Sequence, residues 1–181
     1  GYALEPKTTP SLYKNLMFSN KHSSVYSDIN DYNSLLKEIK SFEPDFIFHL
    51  AAQPIVLASY EDPKTTFETN FNGTLNLLEV LRKSELPCTA IFITTDKVYE
   101  NKELNFPFSE EDKLGGKDPY SASKAACELL INSYHTSFFK DSKINIASVR
   151  AGNVIGGGDW SENRLIPDIV RSVFENKPLK I

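Results

Sequence analysis

The chain has 181 residues, is 40% hydrophobic and carries a formal charge of −4, enough for one sizeable core and too short for two ordinary domains with long linkers. Its lysines are scattered and no basic stripe is present, which argues against a nucleic-acid partner. The cysteines Cys88 and Cys127 and the histidines His22, His49 and His135 lack metal-ligand spacing, and there is no signal peptide or long apolar run, so we expect a soluble cytoplasmic protein with reduced thiols, no bound metal and no membrane partner.

Along the chain, the first expected helix spans 31–42, capped by Asp31 and carrying Leu35, Leu36 and Ile39. The run DFIFHLAA (45–52) reads as a buried strand. A helix over 63–84 follows, with Phe67, Phe71, Thr74, Leu75, Leu78 and Leu81 at helical spacing. TAIFITT (89–95) is a second buried strand, and 119–139 a second long helix through Ala122, Ala126, Leu129, Leu130, Tyr134 and Phe138. INIASVRA (144–151) is a third buried strand, and a last helix runs over 164–176 with Pro167 in its first turn. Alternating strands and helices predict an α/β fold with a parallel sheet.

Ligands of open parallel sheets gather outside the carboxyl ends of the strands. Those ends carry Ala51, Ala52, Gln53 and Pro54, then Thr95, Asp96, Lys97 and Tyr99, then Gly152, Asn153 and a GGGDW turn. Small residues admit a flat ligand, while a hydroxyl, a carboxylate and an amine in a row supply acid–base groups. Taken singly, each also has a plain structural use as a cap, a surface pair or a turn.

The stretch DPYSASKAACELL (118–130) opens the helix that follows the second strand. Asp118 suits the cap and Pro119 the first helical position, so Tyr120 and Lys124 stand four apart on one helix face. A lysine ammonium beside a phenol at a helix N-terminus favours the phenolate, which can act as a base. The same spacing at Tyr60 and Lys64, interrupted by Pro63, reads as a surface pair in a strand-to-helix connection. In isolation, a half-buried aromatic beside a snorkelling lysine is the favoured reading of Tyr120 and Lys124. Their conjunction with three functionalised strand ends favours an active site.

Four segments carry a resemblance: FHLAAQPIVLASYEDPKTTFETNFNGTLNLLEVLR, FITTDKVYEN, LGGKDPYSASKAACELL and SVRAGNVIGGGDWSENRLIPDIV. Together they resemble the extended short-chain dehydrogenase/reductase superfamily, and within it the sugar-nucleotide 4,6-dehydratases. The last two look most like the CDP-glucose branch. The resemblance implies a Rossmann-like doubly wound parallel sheet, a redox triad at Thr95, Tyr120 and Lys124, and acid–base residues at Asp96 and Lys97. The Lys departs from the Glu of the dTDP-glucose branch.

It further implies NAD as cofactor, favoured over NADP because the opening strand end has no Arg for a 2′-phosphate. Asp28 and Ile29 would flank the adenine, and Leu50, Ala51, Ala52 and Gln53 would line the cofactor cleft. Ala151 and Asn153 would lie near the nicotinamide and substrate, with Gln53 also near substrate, and Arg164, Leu165 and Ile166 would face the nucleotide end of a CDP-glucose substrate. Asn70 would support the framework. A homo-oligomer is expected.

The family opens on a strand and a glycine-rich turn that hold the cofactor pyrophosphate at a helix N-terminus, and this chain contains no such turn. The expectation is therefore a sheet incomplete at both ends relative to the family. Residues 1–181 would form the central part of an NAD-binding domain in an enzyme of roughly twice this length, with 152–181 beginning the substrate-binding part; alone, this stretch would neither hold NAD tightly nor turn over. A sugar-nucleotide 4-epimerase and a non-catalytic nucleotide-binding Rossmann domain are the competing readings.

Overall fold

The computed structural model describes residues 1–16, 22–103, 105 and 107–179; Lys180 and Ile181, the end of the expected 152–181 portion, lie outside these. In chain order the elements are β1 (Tyr2–Ala3), α1 (Leu12–Asn15), β2 (Val25–Tyr26), α2 (Tyr32–Phe42), β3 (Phe46–His49), α3 (Val56–Glu61) and α4 (Pro63–Phe67). There follow α5 (Gly73–Ser84), β4 (Cys88–Thr95), α6 (Pro119–Tyr134), β5 (Ile144–Ala151) and α7 (Leu165–Glu175). A π-helical turn, Glu68–Asn72, joins α4 to α5, another, His135–Phe139, continues α6, and a 3-10 turn, Asp96–Val98, follows β4. The chain divides into two units: Ile29–Gly152, and Gly1–Asp28 together with the segment from Asn153 onward.

In the larger unit β3, β4 and β5 form a parallel sheet in that order, with β4 central. β4 is rich in β-branched and aromatic residues, and Ala90, Phe92, Thr94 and Thr95 along it are buried. The expected strand 45–52 is shorter than its apolar run. It pairs only from Phe46 to His49, and Leu50 is 69% exposed. The expectation of three buried strands holds for β4 alone. β3 and β5 each have one neighbouring strand among the described residues, and Phe46, Phe48 and Val149 are exposed.

The long helix expected over 63–84 is interrupted. Asp62 caps α4 by accepting from the Thr65 N–H at 2.9 Å, Pro63 takes its first position, and the π-helical turn then shifts the helical register before α5. The buried face runs through Thr66, Asn70 and Thr74 to Leu77, Leu78, Val80 and Leu81, while Phe67 is exposed. Burying each of those aliphatic side chains contributes about 1.5–3 kcal/mol. Gly73 lets this face approach Ile29: a Cβ there would lie 2.7 Å from Ile29 Cγ2.

Helix α6 begins as expected, with Asp118 accepting from the Ser121 N–H at 2.9 Å and Pro119 at the first position. Its buried face, however, is the one bearing Ser123, Lys124, Cys127, Glu128 and Ile131. Leu129 and Phe138, from the expected apolar stripe, are exposed. The polar face is inside because it finds hydrogen-bonding partners on β4 and β5, described below.

In the smaller unit β1 pairs in parallel with β2, and the Tyr2 hydroxyl donates to the Asp28 carbonyl at 3.0 Å. Pro167 is buried in the first turn of α7, and Arg171 on the same helix donates to the carbonyls of Trp160 and Ser161, each at 2.9 Å. Gly158 has φ +85°, and a Cβ there would meet Leu12 at 2.8 Å, so this one glycine of the GGGDW turn is required by both backbone and packing. No helix among the described residues is long and apolar enough to cross a membrane.

Candidate active site

β4 runs past the end of β3 and delivers Thr95 to the carboxyl edge of the sheet, in register with Ala151 of β5. Thr95 is buried and caps the 3-10 turn, its Oγ1 accepting from the Lys97 N–H at 3.3 Å. The same hydroxyl donates to Asp96 Oδ1 at 3.1 Å. Asp96 and Lys97 are both exposed, on a turn that packs against α6. Asp96 Oδ2 lies 3.7 Å from where a Cβ on Gly152 would stand, so the carboxylate faces the open end of β5.

Tyr120 and Lys124 rise from the first turns of α6. Tyr120 is half-buried, and its N–H donates to Ser59 Oγ of α3 at 3.2 Å. Lys124 is 6% exposed, and its Nζ donates to the Ile93 carbonyl of β4 at 3.2 Å. Burial lowers the Lys124 pKa, while Cys127 and Glu128 pull it back upward. This fixed ammonium is therefore an ion the fold holds out of water, unlike a snorkelling surface lysine. On β3, burial and then the Lys124 charge bring the His49 pKa down to about 4. His49 Nε2 bonds Thr74 Oγ1 at 3.1 Å, and because that hydroxyl donates to the Asn70 carbonyl at 2.7 Å, the imidazole is the donor.

After β3, Ala51, Ala52 and Gln53 form a half-buried loop. Asn70, 1% exposed, fastens it: Oδ1 accepts from the Gln53 N–H at 2.8 Å, and Nδ2 donates to the Gln53 carbonyl at 3.2 Å and to Ser123 Oγ on α6 at 2.9 Å. The loop and the helix bearing Tyr120 are thus brought together through one amide. The Gln53 side chain turns inward, donating to Ile55 O at 3.1 Å and Thr66 Oγ1 at 2.8 Å and accepting from the Ile55 N–H at 2.6 Å. Its amide is spent within the loop and on Thr66 of α4, which leaves the small residues Ala51 and Ala52 to shape the surface there.

The remaining expected residues fall elsewhere. Ile29 is buried against Gly73, and its carbonyl accepts from Asn76 Nδ2 at 3.2 Å. Asp28, Asn153, Arg164, Leu165 and Ile166 belong to the smaller unit. There Arg164 caps α7 without a side-chain bond and its Nε lies 3.8 Å from Asp159 Oδ2, while Leu165 and Ile166 are exposed in the first turn.

Reading the sequence missed a buried ion pair beside this site. Glu128, one turn beyond Lys124 and 5% exposed, accepts from Thr94 Oγ1, from Ser148 Oγ at 2.9 Å and from Arg150 at 3.1 Å. Burial alone would raise its pKa, but Arg150, Thr94 and Ser148 outweigh it and hold the carboxylate ionised. The available signal was a single Glu and a single Arg, each set in an otherwise apolar run.

A parallel α/β sheet with Thr95 at a strand end and Tyr120 and Lys124 on the adjoining helix defines a Rossmann-like domain of the short-chain dehydrogenase/reductase type. The family model for GDP-mannose 4,6 dehydratase matches residues 6–176, and the chain belongs to that family. It is 45% identical to a CDP-glucose 4,6-dehydratase of Salmonella typhimurium across 97% of this chain and 50% of that protein. It is 30% identical to a UDP-glucose 4-epimerase of Mycoplasma genitalium across 84% of this chain and 46% of that protein. Among solved structures it resembles the dTDP-glucose 4,6-dehydratase DesIV of Streptomyces venezuelae with NAD bound (TM-score 0.80, 27% identity, 89% of this chain and 47% of that one). A UDP-glucose 4-epimerase of Thermus thermophilus in complex with NAD matches with TM-score 0.78 and 29% identity, over 89% of this chain and 51% of that one. The chain spans about half the length of the curated relatives it matches.

Proposed function

We propose that the intact protein is an NAD-dependent sugar-nucleotide 4,6-dehydratase that converts CDP-glucose to CDP-4-keto-6-deoxyglucose. The observation that carries this reading is the pair Asp96 and Lys97 on a 3-10 turn directly after Thr95, at the strand ends beside Tyr120 and Lys124. The 45% identity to a CDP-glucose 4,6-dehydratase supports the choice of nucleotide. An epimerase needs Tyr120 and Lys124 but no acid–base pair for elimination.

The residues present fit the nicotinamide half of the cofactor. Among the described residues a Cβ at Gly152 would meet Asp96 Oδ2 alone within 4 Å, and Ala51 and Ala52 are small, so the carboxyl edge has room for a flat ring. Tyr120 and Lys124 would hold the adjoining ribose, Leu50 to Gln53 and Ala151 would line the cleft, and Asp28 and Ile29 would lie toward the adenine. When bound, NAD accepts the hydrogen from sugar C4 and gives it back at C6.

Tyr120, as phenolate, takes the proton of the 4-hydroxyl. Lys124 stabilises that phenolate, and Thr95 orients the hydroxyl by turning its own from Asp96 toward the sugar. With a ketone at C4, the C5 hydrogen becomes acidic. Lys97 removes it while Asp96 protonates the departing 6-hydroxyl, so one water leaves. We assign the stretch 152–181 to the start of the substrate-binding part, with Asn153, Arg164, Leu165 and Ile166 toward the nucleotide and the Gln53 loop near the sugar. The protein acts in the cytoplasm as a homo-oligomer, to which the exposed Leu129 and Phe138 offer apolar surface.

The test is incubation of the intact protein with CDP-glucose and NAD, followed by mass spectrometry of the sugar nucleotide. Loss of one water supports the dehydratase. An isobaric C4 epimer supports the epimerase, and NAD binding without conversion supports a non-catalytic domain.

A further inference from the structure

Arg150 takes no part in the chemistry above, yet its partners stand behind both halves of it. One arm donates to Glu128 at 3.1 Å, on the helix one turn beyond Lys124. The other donates to the Tyr99 hydroxyl at 3.0 Å and to the Glu110 carbonyl at 3.1 Å. The guanidinium also lies 5.0 Å from the centroid of the Tyr99 ring, which stacks on Phe108 at 4.7 Å and 6°. Tyr99 closes the turn that bears Asp96 and Lys97, its N–H bonding the Asp96 carbonyl at 3.4 Å.

Glu128 also accepts from Thr94 Oγ1, one residue before Thr95, and from Ser148 of β5. Among the described residues, Thr94, Ser148 and Arg150 thus reach this carboxylate from strands that end at the site. A buried ion pair is weak evidence for stability, because desolvation offsets much of its attraction. Its directional bonds nonetheless fix geometry, and the rigid guanidinium fork presents donors on separate nitrogens to acceptors on two sides, whereas an ammonium offers all of its donors from one atom.

We propose that Arg150 is a positioning residue: it ties Glu128, on the helix of Tyr120 and Lys124, to Tyr99, behind the turn of Asp96 and Lys97, and so fixes the elimination groups relative to the redox groups. This rests on the functional reading above. A misplacement of about 1 Å in such a constellation costs on the order of 100-fold in rate, so a strut at this point acts on the second half-reaction.

Two variants of the intact protein test it. Tyr99→Phe keeps the stacked ring and removes the acceptor of one guanidinium bond; Arg150→Lys keeps the charge and loses the second arm. In both, formation of the 4-ketone, trapped by borodeuteride after rapid quenching, should stay within about twofold of wild type, while conversion of ketone to 6-deoxy product slows about tenfold. Amide hydrogen exchange over residues 97–100 should quicken about tenfold, with no change over 73–84. A general loss of structure would slow both stages alike and quicken exchange in both segments, and that outcome overturns the proposal. So does unchanged exchange over 97–100. If the wild-type protein forms no 6-deoxy product, the functional reading falls, and the exchange measurement still decides on the strut.

Discussion

Asn70→Ala removes a side chain that is 1% exposed and joins the loop after β3 to α6. Two backbone groups lose their partner, the Gln53 N–H held at 2.8 Å and the Gln53 carbonyl held at 3.2 Å. Ser123 Oγ keeps its own bond to the Tyr120 carbonyl at 2.7 Å. An unpaired buried group costs about 1–3 kcal/mol. Gln53 is half-buried, so water relieves part of this, and the lost volume adds to it, giving about 2–4 kcal/mol in total. In a chain of this size that corresponds to a fall in Tm of about 5–15 °C. Asn76→Ala is the control, because the one bond at stake there, to the Ile29 carbonyl at 3.2 Å, is worth about 1 kcal/mol. Urea and thermal unfolding followed by circular dichroism measure both. An Asn70→Ala variant within about 0.5 kcal/mol of wild type, or one no worse than Asn76→Ala, refutes the reasoning.

Tyr120→Phe should abolish 4-ketone formation from CDP-glucose while leaving substrate affinity within about tenfold, as measured by quenched trapping and calorimetry; normal ketone formation would make Tyr120 structural. Asp96→Asn and Lys97→Met should form the ketone normally and then stall, with product formation slowed about 10²- to 10⁴-fold and C5 exchange with deuterated solvent slowed in Lys97→Met. Release of product at the wild-type rate by both would return the pair to a surface role. His49 titrates at about 4 in the fold, below the ordinary histidine value, so the unfolded chain binds the extra proton first. Stability should therefore fall by about 3 kcal/mol as the pH drops from about 6.5 to about 4. His49→Gln should flatten that slope in urea titrations, and an unchanged slope would show that other groups set it.

The places of the strands and the start of α6 were legible because each has a local cause. A β-branched run makes β4, Asp118 and Pro119 start a helix, and small or polar residues directly follow the apolar runs. What was not legible was which helix face turns inward. In α6 the apolar spacing through Ala122, Ala126 and Leu129 pointed to one face, and the structure buries Lys124 and Glu128 instead. Periodicity assigns burial by hydrophobicity, whereas these polar groups are buried because Ile93, Thr94, Ser148 and Arg150 satisfy them. Those partners lie some 20 to 35 positions away in sequence, and no local pattern carries that pairing. The π-helical turn between α4 and α5 hid Thr66 and Asn70 of the other inward face in the same manner, whereas Thr74 lay in the expected spacing.

These two polar faces meet at one place. Asn70 bonds Ser123, and the Thr74 hydroxyl, which donates to the Asn70 carbonyl, also lies 3.6 Å from Cys127 Sγ, so the helices touch through hydroxyl, amide and thiol groups. A core built for stability alone would use aliphatic side chains at such a contact, because they need no partner. The polar solution instead fixes α6 in rotation as well as distance, since each bond is directional and each unsatisfied group is costly. Rotation is what the proposed chemistry depends on. Tyr120 and Lys124 share a face, and turning α6 by one residue, about 100°, would carry that face away from β4, where Lys124 holds the Ile93 carbonyl. The departure of α6 from the apolar pattern thus sets the rotation that turns Lys124 onto the Ile93 carbonyl of β4 and, with it, the face that carries Tyr120.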